Sequence, residues 1–146
     1  MRKINIFLTT LCLISIIVGG ASCKKSTPKT KTELISQTWK VQKAEENGTT
    51  VFEIGGVQTA NYTPLRLSFN STGFTWIDSQ NNSSSGTWIF ASNDTEIKFT
   101  VPNNTSFSPA TVTMSDLSED RLTIKYTTTN TKGQTTNVTL YLVPAG

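Results

Sequence analysis

The sequence predicts an all-β domain of eight or nine short antiparallel strands, preceded by one short helix. Three observations predict it. Apolar residues recur at every second position in eight separate runs, the period that puts them on one face of a pleated strand. Clusters of Asn, Gly, Ser, Asp and Pro separate those runs at short intervals, and these residues carry turn chemistry. Thr is abundant between the apolar positions, and its branched Cβ favours extended backbone. Many short strands at regular spacing imply a sandwich or a closed barrel.

The elements follow in order. "KTELISQ" reads as one or two helical turns, with Thr32 as N-cap. "TWKVQ" then presents Trp39 and Val41, and "LRLSF" presents Leu65, Leu67 and Phe69. "GFTWI" offers Phe74 and Trp76, "GTWIF" offers Trp88 and Phe90, and "EIKFTV" offers Ile97, Phe99 and Val101. "ATVTM" contributes Val112 and Met114, "RLTIKY" Leu122, Ile124 and Tyr126, and "NVTLYL" Val138, Leu140 and Leu142. The residues between them are largely Thr, Lys, Arg and Ser, which suit a solvent face. "ENGTT", "NSTGF", "SQNNSSSG", "ASND", "PNNTSFSP", "LSED" and "NTKGQ" are the connecting turns.

The first 22 residues form a separate unit. A basic start, "MRK", leads into the apolar run "INIFLTTLCLISIIVGG" and then small residues, the three-part plan of a secretory signal. Ile4 to Val18 would make a helix of about 22 Å at ~1.5 Å per residue, short of the roughly 30 Å of a bilayer core. Asn5, Thr9, Thr10 and Ser15 interrupt it further. "GGASC" resembles the lipobox of bacterial lipoproteins, with Gly20 where the commonest form has Leu. The resemblance implies cleavage before Cys23 and acylation of that residue. Each buried CH₂ contributes about 0.8 kcal/mol, so two or three acyl chains, such as palmitate, hold a protein at the membrane where one chain would not. Cys12 is lost with the signal, which leaves the mature chain no disulfide.

"KKSTPKTKT" carries charge, Ser, Thr and Pro but no apolar residue, so residues 23–32 read as the lipidated cysteine and a flexible tether. Residues 33–146 are the domain. The formal charge of +3 is misleading. From Glu33 onward seven basic residues face ten acidic ones, a net −3, and the basic surplus lies in the N-terminal segments. No basic stripe crosses the domain, which argues against nucleic acid as a partner.

Catalysis finds little material. Histidine is absent, and with it the usual acid–base and nucleophile sets. Glu45 and Glu46 adjoin one turn, and Glu119 and Asp120 another. Neighbouring strand residues point to opposite faces, so neither pair converges on a substrate, and both read as solvated turn charges. "SQNNSSSG" offers neutral oxygens beside Asp78 alone, too little charge for a calcium site. The reading is of a protein that is not an enzyme and needs no metal or cofactor. Trp39, Phe69, Trp76, Trp88, Phe99 and Tyr126 are the candidates either to line an apolar pocket or to fill the interior. The Asn-x-Ser/Thr triplets at Asn47, Asn70 and Asn93 read as a by-product of composition.

"LISQTWKVQKAEENGT", "YTPLRLSFNSTGFTW", "SGTWIF" and "VTMSDLSEDRLTIKYT" resemble the small lipocalin-like lipoproteins of Bacteroidetes-type bacteria. The resemblance spans residues 33–144. It implies an up-and-down antiparallel β-barrel with the short helix across one end. Trp39 matches the tryptophan that closes the barrel floor in lipocalins, although Gln37 replaces the glycine two residues before it. Arg121 is the candidate for the arginine that stacks on that tryptophan.

Two functions follow as expectations. One is a lipid-anchored envelope protein binding a small apolar or amphipathic ligand. The other is a solid barrel whose polar loops contact a protein or glycan. Lys24 and Lys25 directly after Cys23 point to an outer-membrane protein facing the periplasm.

Overall fold

The computed structural model describes residues 27–104 and 106–146. The signal segment, Cys23 and the first part of the tether lie outside them. Helix α1 (Lys31–Ile35) is followed by nine strands: β1 (Thr38–Glu46), β2 (Thr49–Glu53), β3 (Arg66–Phe69), β4 (Gly73–Ile77), β5 (Ser83–Ala91), β6 (Glu96–Thr100), β7 (Thr111–Leu117), β8 (Leu122–Thr129) and β9 (Thr135–Pro144). All pairings are antiparallel. Sequential neighbours pair from β3 to β9, and β1 bridges β9 and β3, so eight strands close a barrel. Closure removes the unpaired edges that an open sheet would leave.

The ninth strand, β2, is an addition that the sequence pattern does not reveal. It pairs with the second half of β1, while the first half of β1 pairs with β3. A two-residue Asn47–Gly48 turn makes this hairpin, both residues at positive φ (49° and 80°). Asn-Gly suits such a turn because both places require left-handed backbone.

Most of the predicted inward residues form the core, while Phe90, Val101 and Tyr126 are only partly buried against it. Trp39, Val41, Leu65, Leu67, Phe69, Phe74, Trp76, Trp88, Ile97, Phe99, Val112, Met114, Leu122, Ile124, Val138, Leu140 and Leu142 are all buried. No polar or charged residue is buried among the described residues. The interior is aromatic on one side: Phe99 lies 4.6 Å from Phe74, 6.2 Å from Phe69 and 5.7 Å from Trp76, between ring centroids. Phe107 reaches into this group from the β6–β7 connection, 5.7 Å from Phe74. That connection, expected to be a polar loop, therefore gives one aromatic ring to the core.

Helix α1 lies at the end where β1 starts. Its cap is Thr30, not Thr32: the Thr30 hydroxyl accepts from the Glu33 amide, and the Glu33 carboxylate accepts from the Thr30 amide at 2.7 Å. This reciprocal pair satisfies two amides that a helix start leaves unpaired. The Thr30 amide and, beside it, the Thr30 hydroxyl donating to the carboxylate at 2.9 Å hold the Glu33 carboxyl below its ordinary pKa. Lys29 pairs with Glu119 at 2.9 Å and Lys31 with Asp94 at 3.5 Å, so the helix entry rests against the β7–β8 and β5–β6 turns. Ile35 is fully buried, and its carbonyl accepts from the indole Nε1 of Trp39 at 3.0 Å. Trp39 thus closes this floor as expected. Arg121 does not stack on it; its guanidinium is exposed and faces Asp116 (3.7 Å) and Asp120 (3.8 Å).

The turn asparagines have structural work that composition does not suggest. Asn70 Oδ1 accepts from the amides of Thr72 and Gly73, and Asn130 Oδ1 from those of Lys132 and Gln134. Asn47 and Asn93 occupy left-handed turn positions. Short polar side chains that bond nearby backbone and tolerate positive φ explain their frequency.

Candidate functional site

The floor is closed, and the opposite end is open. A cavity of about 370 Å³ lies there. Its deep wall is Trp76, Tyr126, Leu65 and Val138. Its upper wall is polar: Glu46 from β1, Tyr62 from the β2–β3 connection, Asp78, Ser79 and Gln80 after β4, Ser108 with Pro109 before β7, and Thr128, Thr129 and Thr136 from the β8–β9 hairpin.

An irregularity in β1 puts Glu46 there. Trp39 and Val41 face the core, and unbroken alternation would send Lys43 and Glu45 after them. The β1–β9 register instead shifts between Val41 and Lys43, leaving Gln42 as an extra residue. A bulge of this kind reverses the phase of the strand beyond it. Ala44 is buried, Glu46 reaches the cavity, and Glu45 lies on the outside with Lys43 (2.7 Å) and Tyr141 (3.1 Å). Both glutamates belong to β1 itself, not to a solvated turn.

Glu46 Oε1 accepts a hydrogen bond from the hydroxyl of Tyr62 at 2.8 Å. Burial and that bond push the Tyr62 phenol well above its ordinary pKa. Burial, with Glu46 nearby, does the same to Tyr126. Tyr126 and Trp76 meet edge to face, 5.8 Å apart at 80°. Asp78 stabilises its own turn: Oδ1 accepts from the amides of Gln80 and Asn82, and Oδ2 from the Asn82 side chain. Only residues 79–82 of "SQNNSSSG" form the turn that this carboxylate organises; the run expected to be a turn already enters β5 at Ser83.

The six candidate aromatics divide. Trp76 and Tyr126 line the cavity. Trp39 seals the floor, and Phe69, Trp88 and Phe99 pack in the interior, where Trp88 also donates to the Asn70 carbonyl at 3.0 Å. Glu46, Tyr62 and Asp78 complete the mouth and were not among the candidates. A smaller hollow of about 240 Å³ sits on the outer wall beneath β2, between Phe52, Ile54, Lys40 and Arg66. Its two cations are occupied by backbone carbonyls, Lys40 by Ala145 and Arg66 by Thr63 and Leu65.

No family model matches the chain, and no curated protein matches it. Among solved structures, a lipocalin-like protein from Bacteroides uniformis superposes with a TM-score of 0.50 over 75% of this chain and 97% of the other, at 14% sequence identity. The fold is lipocalin-like. In this lipocalin-like barrel the side chains of the described residues fill the floor half, and the cavity of about 370 Å³ lies at the mouth. What the arrangement offers a ligand is a small aromatic-walled recess with a ring of hydroxyls and two carboxylates above it.

Proposed function

We propose that this protein binds a small ligand in the mouth of its barrel while held at the cell envelope by acyl chains on Cys23. The observation that carries the binding half is the cavity itself: an otherwise packed, closed barrel keeps about 370 Å³ of open space at one end, against Trp76 and Tyr126. That volume is at the small end of the range for ligand sites, which are typically a few hundred Å³ and mix apolar walls with a few placed polar groups. The lipocalin-like fold, typically a binding scaffold, supports the same reading. The anchoring half rests on the sequence pattern, a basic start, a short apolar run and the small residues that end in Cys23.

Native mass spectrometry of the protein purified from its own host tests the first half. A reproducible added mass that leaves on unfolding is the expected result. A bare protein mass, together with no saturable uptake from a lipid and metabolite extract, would return the protein to the other reading, in which the loops meet a protein or glycan. For the second half, Cys23→Ser should move the protein from the membrane fraction to the soluble one and abolish acyl labelling; retention in the membrane fraction would count against the anchor.

A further inference from the structure

The charges of the cavity narrow the ligand. Its lining holds two carboxylates, Glu46 and Asp78, and no lysine or arginine. Glu46 spends one oxygen on Tyr62, and among the described residues no donor reaches the other. Three aromatic rings, Tyr62, Trp76 and Tyr126, stand around the same space. Aromatic faces attract cations through the ring quadrupole, and most strongly where water is scarce. A fatty acid or other anionic amphiphile would have to bring its charge past Glu46 and Asp78, with no cation to receive it. An organic cation meets a carboxylate and aromatic rings together.

We propose that the cavity selects a small organic cation, an ammonium group on a short hydrocarbon body. This rests on the reading of the mouth as a ligand site and adds the charge of what enters it. The ammonium sits against Glu46, and the body lies along Trp76 and Tyr126. The unused oxygen of Glu46 accepts the N–H donor, and the threonine hydroxyls of the β8–β9 hairpin lie at the rim.

The test uses the full chain in a neutral detergent and three probes of similar size and different charge: 2-phenylethylammonium, 2-phenylethanol and phenylacetate. Binding is followed by amide and indole NMR shifts of Tyr62, Trp76 and Tyr126. The ammonium should bind about tenfold tighter than the alcohol, and phenylacetate more weakly than either. Glu46→Gln keeps an acceptor for Tyr62, so the fold should hold; it should cost the ammonium about fivefold and leave the alcohol nearly unchanged. If the alcohol or phenylacetate binds as tightly as the ammonium, the cation preference is wrong and the ligand site stands. If none of the probes moves the signals of the mouth, the site falls, and the preference with it.

Discussion

Tyr62 donates its hydroxyl to Glu46 across 2.8 Å, joining the long β2–β3 connection to the last residue of β1. The bond ties a loop to the barrel rim. Tyr62 is otherwise held by apolar contact, its ring 6.2 Å from that of Phe52. Tyr62→Phe keeps the ring and removes the donor. A hydrogen bond to a charged acceptor is worth about 1.5–3 kcal/mol when water cannot replace it. Glu46 is only half-buried, so the expected loss is nearer about 1 kcal/mol. Urea unfolding should show a lower midpoint at an unchanged slope.

Alkaline pH provides a second check. Both Tyr62 and Tyr126 have folded pKa values raised above their ordinary one, burial being the larger cause. A raised pKa means that above about pH 10 the unfolded chain releases phenolic protons that the folded chain retains. Their contribution is therefore complete below about pH 10 and is lost as pH rises towards the folded values. Stability should fall above that point in the native protein. Tyr126→Phe should reduce the fall and alter stability little at pH 7, measured by parallel urea titrations across the alkaline range.

The barrel was legible because a pleated strand with one wet face writes its burial into every second residue. The face from Leu65 to Phe69 and the face from Val138 to Leu142 read directly. The mouth was not legible, for three physical reasons. The bulge at Gln42 reverses the phase of β1, so counting by twos from Trp39 arrives at Glu45 when the inward residue is Glu46. Strand β2 buries a single residue, Phe52, and so has no alternation to detect. Tyr62 and Phe107 come from connections whose composition is polar, and they reach inward because an aromatic ring gains more from burial than its neighbours lose. Of the site, only its deep wall, Trp76, Tyr126, Leu65 and Val138, belonged to readable runs.

The floor makes a prediction of its own. Trp39 fills the closed end, and its indole satisfies the Ile35 carbonyl at the C-terminal end of α1. Trp39→Phe removes one of the two donors on that carbonyl, the Gln37 amide being the other, and opens space beneath the helix. Large-to-small changes at fully buried sites cost about 2–5 kcal/mol; the retained ring places this one at about 2–3 kcal/mol. Hydrogen exchange should show the amides of Leu34 and Ser36, bonded to the Thr30 and Thr32 carbonyls, losing protection first. By contrast, Thr30→Ala breaks only the cap and should cost about 1 kcal/mol.

Gly86 is the last position where the fold commits to one residue. It lies in β5 between the inward-facing Ser84 and Trp88, and the backbone of β6 passes close to it. A methyl group there would stand 2.0 Å from the Thr100 carbonyl oxygen and 3.1 Å from the Val101 Cα. Both neighbours are backbone, so no rotamer change relieves the contact. The strands must part, and the Thr87–Thr100 and Trp88–Phe99 pairings lie directly beside the gap. Overpacking a tight site costs about 1–3 kcal/mol, and a clash with backbone belongs at the upper end of that range. Gly86→Ala should therefore lower the thermal midpoint by more than Tyr62→Phe does. It should also shift or broaden Trp88 emission less than it weakens protection of the amides that bond across the β5–β6 pair, because the strand pairing yields before the aromatic cluster around Phe69 and Phe99 comes apart.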